Sequence, residues 1–246
     1  MPCLRKRLES VELSSPSPHS AQFPELKMAT QNIVVAGVGR FGSRVATGLF
    51  QLGHDVLAID QNQARIQELI GRVTYSVAGD VTDEVLMRDL GVGNFDVAIV
   101  AIGRNVESSI MTAVLLRSLN IPMVVARARN QLHAETLQRI GCDRVINAEE
   151  EAGMRLAQTL FTPNVTDYIP LGGAQGISRM QMPERFRDMT LRDAGFTEFR
   201  DQNHLSVLAL IRDQNARLIP DLDERTRPTD EIVVAGQKNL VDELAG

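Results

Sequence analysis

At 246 residues, 43% hydrophobic and 23% charged, the chain has an ordinary globular composition and a length suited to one or two domains. A net charge of −5 provides no general field for nucleic acid or an anionic membrane, so no nucleic-acid partner is expected. Two cysteines, Cys3 and Cys142, sit at no metal-ligand spacing, and no run of about 18 apolar residues is available to span a bilayer. A disulfide scaffold, a structural zinc site and a helical pore are thereby excluded, and a reducing cytoplasm is the expected compartment.

Residues 1–30 read as a disordered extension. They carry Arg5-Lys6-Arg7 and Ser14-Ser15-Pro16-Ser17-Pro18 without the apolar centre of a secretory signal, and Met28 is an alternative start. From Asn32 the pattern becomes strand, turn, helix, repeated. Ile33 to Ala36 is an apolar run ending at Gly37, and Phe41 to Leu52 has helical spacing that Gly53 stops. Val56 to Ile59 predicts a second strand ending at Asp60. A helix through Ile66, Leu69 and Ile70, closed by Gly71, should follow. Tyr75 to Ala78 predicts a third strand, with Thr82 capping a helix that runs through Leu90. Val97 to Ile102 is apolar throughout, as a strand covered on both faces should be. Helices near 105–119 and 132–140 then alternate with strands at Met123–Ala126 and Arg144–Ile146.

Such alternation predicts a doubly wound, Rossmann-type α/β fold on a parallel sheet. Glu149 to Phe161 reads as one more helix, ended by Pro163. Beyond it, strands at Ile177–Met182, Leu205–Ile211 and Asp230–Ala235, with a short helix at Met189–Ala194, no longer alternate regularly. Leu171-Gly172-Gly173-Ala174 looks like a flexible junction. The expected organisation is an extension at 1–30, a nucleotide-binding domain at 31–147, a crossover helix at 148–163 and a smaller α+β domain at 164–246.

Gly37-Val38-Gly39-Arg40-Phe41-Gly42 is a G-x-G-x-x-G that follows a strand and opens a helix. In that setting Gly37 permits the tight turn, Gly39 admits a pyrophosphate to the backbone, and Gly42 allows close helix–strand packing. Phosphates would meet free N–H groups at the positive helix end. Asp60 is placed to accept both ribose hydroxyls. Gln61 and Asn62 follow it with no adjacent arginine, which disfavours the 2′-phosphate of NADP. Arg40 is the charged group positioned for an extra phosphate of a mononucleotide. Asp80 lies where an adenine edge would be, or else caps the next helix with Thr82 and Asp83.

No enzyme is expected. The lysines are Lys6, Lys27 and Lys238, and neither Tyr75 nor Tyr168 has one four residues on. His19, His54, His133 and His204 read as surface or turn residues rather than proton donors. No P-loop occurs. Two other classes stay open on the residues alone: an NAD-dependent oxidoreductase with its catalytic groups in the small domain, and a freestanding nucleotide-responsive interaction module.

Asn32–Phe161 resembles the nucleotide-binding half of the regulator-of-potassium-conductance family, in particular the peripheral subunits of bacterial Trk and Ktr uptake systems. The resemblance rests on the glycine motif, Ala58-Ile59-Asp60, Gly79-Asp80 and Val97 through Gly103. Ile121-Pro122, Ala126-Arg127-Ala128-Arg129-Asn130 and Gly141-Cys142-Asp143-Arg144-Val145-Ile146 continue it. Asp230 through Gly236 resembles the end of the family's smaller domain. The resemblance implies a homo-oligomer, dimers building a ring that is octameric in the family, attached to a membrane-embedded potassium-translocating subunit at the inner face of the cell membrane. It implies ATP or ADP as ligand, NAD(H) in some members, and a divalent or monovalent cation at the phosphates. Arg40 would then contact the terminal phosphate, Asp60 the ribose and Arg127 the nucleotide as a basic group. Glu149 would face the cation, although Glu149, Glu150 and Glu151 also suit the first turn of a helix. A small-molecule ligand of the C-terminal domain is a further expectation.

Overall fold

The computed structural model describes residues 29–162, 164–196 and 205–245. The expectations for the extension, for Pro163 and for His204 lie outside these residues. The first unit runs β1 (Asn32–Ala36), α1 (Arg40–Gln51), β2 (Asp55–Asp60), α2 (Gln63–Gln67), β3 (Tyr75–Ala78) and α3 (Glu84–Asp89). It continues through β4 (Val97–Val100), α4 (Val106–Ser118), β5 (Met123–Arg127), α5 (Gln131–Ile140) and β6 (Arg144–Ile146). The six strands are parallel in the order β3-β2-β1-β4-β5-β6.

A two-residue period along the strands sorts the apolar side chains into two cores. Val34, Ala36, Leu57, Ile59, Ala98, Val100, Val124 and Ala126 pack on one face with Met87, Leu116 and Leu137 of α3, α4 and α5. Ile33, Val35, Val56, Ala58 and Ile99 face the opposite way, against Ala46 of α1 and Ile66 of α2. With both faces covered, the central strands are buried nearly throughout, which is why they read as continuous apolar runs. The strand order reverses at β1. After β1 the chain passes to β2, but the other neighbour of β1 is β4, so a crevice opens at the carboxyl ends of these two strands.

Local details depart from the sequence reading. The helix expected through Ile70 ends at Gln67, and Leu69 enters the core from a turn instead. Asp83, not Thr82, caps α3, accepting from the backbone N–H groups of Val85 and Leu86 at 2.9 and 3.3 Å. The fourth strand stops at Val100, and Ala101 and Ile102 turn into the loop that walls the crevice.

α6 (Ala148–Thr159) leads to a second, antiparallel sheet in the order β10-β9-β11-β8-β7. Its strands are β7 (Val165–Gly172), β8 (Gln175–Gln181), β9 (Ser206–Arg212), β10 (Asn215–Leu218) and β11 (Glu231–Gln237), and α7 (Lys238–Ala245) follows. Met180, Leu210, Ile232, Val234 and Val241 centre its own core. The Gly172-Gly173 stretch is not an interdomain junction. It turns the β7–β8 hairpin, with Gly172 paired to Gln175 and Gly173 at φ +57°. Met189–Ala194 forms a bend, an antiparallel bridge from Thr190 to Arg225 and then turns, rather than a helix. β7 and β10 escaped the sequence reading because most of their residues are exposed.

Candidate functional site

The crevice at the β1–β4 reversal is a cleft of about 760 Å³, lined by Gly37, Gly39, Arg40, Phe41, Asp60, Asp80, Arg127 and Glu149 among others. The three motif glycines serve three different ends. Gly37 sits at φ +91°, a left-handed conformation that other residues rarely adopt. Gly42 lies behind the cleft wall, where an added Cβ would collide with the Gly37 carbonyl oxygen and come within 3.0 Å of Ala101 Cβ. Gly39, the residue before α1, has φ −66° and nothing within 4 Å of an added Cβ. Val38 also stands behind the wall: its side chain is buried, and its N–H donates to Asp60 Oδ2 at 2.7 Å.

α1 begins without a side-chain cap. Its first helical bond runs from Ser43 N–H to the Gly39 carbonyl at 2.9 Å. The helix geometry therefore leaves the amides of Arg40, Phe41 and Gly42 without an intrahelical acceptor. These N–H groups and the positive helix end form the base of the cleft.

Asp60, only 8% exposed, is more committed than the sequence suggests. Oδ2 accepts from Val38 N–H and, at 3.3 Å, from Arg65 Nη1, while Oδ1 accepts from Asn62 N–H at 2.8 Å. The carboxylate ties the glycine turn to the end of β2 and keeps about one lone-pair site free rather than two. Arg65 also corrects the sequence reading. No arginine adjoins Asp60 in sequence, yet one adjoins it in space, because α2 places the residue five positions on back over β2.

Asp80 follows β3 at the cleft edge. The Thr82 backbone N–H and hydroxyl, at 2.9 and 2.7 Å, hold its carboxyl below the usual range against a smaller opposing push from burial. Arg127, at the end of β5, lies over the Phe41 ring at 5.4 Å and against Gly103, where any Cβ would overlap its guanidinium. It forms an ion pair with Glu149 in the first turn of α6, while its buried Nε has no partner among the described residues. The Glu149 carboxylate thus faces an arginine. Among the described residues no group of three or more His, Cys, Asp or Glu side chains comes together to hold a metal by itself.

Three cleft arginines remain. The exposed guanidinium groups of Arg40, Arg44 and Arg104 have no partner among the described residues. Arg40 is therefore not the sole cation placed for phosphates, as its position in the motif suggested. The signal for Arg44 was its spacing, one helical turn after Arg40; for Arg104 it was its place just past the apolar run. The described residues that line the cleft include no His, Cys, Lys or Tyr. His133, read as a surface residue, is in fact buried, and its Nδ1 accepts from Arg129 N–H at 3.2 Å. Burial pushes its pKa down.

Comparison with known proteins agrees with this geometry. Residues 33–148 match the TrkA-N domain. Ktr system potassium uptake protein A of Bacillus subtilis is 31% identical over 212 residues, covering 86% of this chain and 94% of the relative. Among solved structures, the GsuK RCK domain superposes with a TM-score of 0.62 at 18% identity, over 89% of this chain and 48% of that one. The GsuK channel bound to NAD does so with a TM-score of 0.60 at 17% identity, over 89% and 40%. With a doubly wound sheet, a glycine turn at its reversal point, a separate antiparallel domain and a near full-length relative, the chain belongs to the regulator-of-potassium-conductance family, among the peripheral regulatory subunits of bacterial Trk and Ktr potassium uptake systems.

Proposed function

We propose that this chain gates a membrane potassium transporter or channel from the cytosolic side in response to an adenine nucleotide, ATP or ADP, with NAD(H) as a further ligand of the same cleft. Gly39 carries the reading. Its backbone conformation is open to any residue and an added Cβ would touch nothing, so neither strain nor packing calls for glycine there. Close approach of a pyrophosphate to the backbone does call for it. The surrounding residues fit such a group. The amides of Arg40, Phe41 and Gly42 would take the inner phosphates, the free site on Asp60 a ribose hydroxyl, and Arg127 a phosphate oxygen. Asp80 would edge the adenine. A divalent or monovalent cation would join Glu149 at the phosphates once Arg127 turns toward the nucleotide.

Residues 31–147 would form the sensing unit, 148–163 the crossover and 164–246 the smaller domain, which would take a small-molecule ligand of its own. When bound, the nucleotide supplies negative charge in an amount that differs between ATP, ADP and NAD. Only a difference in affinity between two shapes of the assembly can shift it from one to the other, and about 1.4 kcal/mol of bias changes the ratio tenfold. α6 is the element suited to assembly. None of its residues is buried, and Met154, Leu156 and, just beyond it, Leu160 and Phe161 (89% exposed) leave apolar surface uncovered. A second copy would cover that surface, in dimers that build a ring. No helix among the described residues is long and apolar enough to cross a membrane, and the pore is assigned to a partner on the likeness to a potassium uptake protein and a channel.

Calorimetric titration of wild type and Gly39→Val with ATP, ADP and NAD tests the nucleotide reading. The variant should lose more than about tenfold in affinity, the scale of lost charged hydrogen bonds, with an unchanged melting curve. Equal affinity in the two proteins would refute it. Copurification of the full chain with a polytopic potassium-translocating protein tests the partner.

A further inference from the structure

The sheet order distributes charge along the cleft. Asp60 and Asp80 lie at the ends of β2 and β3, on one side of the central strand β1. Arg104 follows β4 and Arg127 ends β5, on the other side, while Arg40 and Arg44 project from α1 between them. Several of these charges are already satisfied. Arg65 pairs with Asp60, Arg127 pairs with Glu149, and Asp80 is bonded to Thr82. The guanidinium groups of Arg40, Arg44 and Arg104 remain without a partner among the described residues.

Two features make that arrangement costly without a ligand. Arg40 and Arg44 are four apart on α1, so they are neighbours on one helix face and repel. Both also stand in the first turns of a helix with no acidic residue there, where the backbone dipole is positive and a cation is disfavoured. An anion held between α1 and the β4–α4 loop would relieve both at once. Arg104 stands on that loop, immediately before Asn105, the cap of α4.

We propose that Arg44 and Arg104 act with Arg40 as a three-arginine subsite for the distal end of a nucleotide's phosphate chain, so that the protein reads the length of that chain. This rests on the nucleotide reading above and adds two specificity-determining residues to it. Adenosine lies on the acidic half, the inner phosphates on the glycine turn, and each further phosphate extends toward the arginine half. A dinucleotide, with no terminal phosphate, makes less use of the subsite than a triphosphate does.

The test is calorimetry on the full chain with AMP, ADP and ATP at two salt concentrations, for wild type, Arg44→Gln, Arg104→Gln and the double variant. Both positions are exposed, so glutamine leaves the fold intact, and melting curves check this. The ATP-to-ADP preference should fall about three- to tenfold for each single variant and further for the pair. ATP binding by the double variant should also depend less on salt. AMP affinity should stay within about twofold, since its single phosphate is held by the helix amides. If the double variant binds all three nucleotides with wild-type ratios, the subsite is overturned while the nucleotide reading stands. A changed oligomeric state at unchanged ratios overturns it too, and assigns the arginines to a subunit contact. If wild type binds none of the three, both fall.

Discussion

Two alanine substitutions within α1 should have opposite effects. Gly42 and Gly48 are both helical, so alanine at either gains about 0.5–1 kcal/mol from reduced backbone freedom in the unfolded chain. At Gly48 an added Cβ meets nothing within 4 Å, so that gain should appear undiminished. At Gly42 the same carbon would run into the Gly37 carbonyl oxygen, with Gly37 C and Ala101 Cβ each at 3.0 Å. Neither neighbour is the loose end of a long side chain: one is backbone held by Gly37 N–H to the Ile59 carbonyl at 2.8 Å, the other a buried residue bonded through its N–H to Ala36. Forcing them apart costs about 1–3 kcal/mol or more, enough to reverse the intrinsic gain. Urea unfolding followed by circular dichroism should place Gly48→Ala slightly above wild type and Gly42→Ala about 1–2 kcal/mol below it. Nucleotide affinity should drop only in the second, because displacing Gly37 reshapes the phosphate turn. A Gly42→Ala protein as stable as wild type would refute the packing argument.

Arg40→Ala should reduce the ATP-to-ADP preference about three- to tenfold, not abolish it, since Arg44 and Arg104 share the charge; an unchanged ratio in paired titrations would make Arg40 a bystander. NADP should bind more weakly than NAD because its 2′-phosphate would meet the Asp60 carboxylate, and Arg65→Ala should widen the difference; tighter NADP binding in calorimetry would contradict this. In the second domain, burial pushes the wholly enclosed Asp230 carboxyl up, but hydrogen bonds from Arg212 and Arg227 and their charges outweigh it and hold it below the usual range. Its contribution is therefore complete above the ordinary aspartate value of about 3.9 and drains away as pH falls through the lower folded value. Asp230→Asn, which leaves Arg212 with the Glu224 carboxylate and the Arg225 carbonyl as its partners among the described residues, should cost about 2–4 kcal/mol at neutral pH, and acid titration of its unfolding should lose the wild-type slope below about pH 4.

The doubly wound sheet was legible because period and burial agree: strands covered on both faces are apolar at every position, and the turn glycines punctuate them. Asp60 and the glycine motif were legible for the same reason, since chemistry and backbone geometry constrain the same residues. Arg65 was not, because its approach to Asp60 depends on where α2 begins, and that is set by the Asn62 side chain accepting from Ala64 and Arg65 N–H. Arg104 and Glu149 join the cleft only through the order of strands in space. In the second domain, β7 and β10 are mostly exposed strands whose alternation is too weak to announce them, and the paired glycines after Leu171 serve a hairpin as readily as a linker.

The position of β1 has a consequence for biosynthesis. Among the described residues it is the first strand to be synthesised and also a central one, flanked by β2 and β4. The bond from Asn32 N–H to Asp96, at the entrance to β4, spans 64 residues. At roughly 5–20 residues per second, one edge of this apolar strand waits roughly 3–13 s for its partner to be made. Through that interval Ile33, Val34 and Val35 present an unpaired strand edge of the kind that recruits other chains. The nascent domain is thus exposed to strand-edge pairing with other chains until β4 has emerged and the glycine turn can close against it.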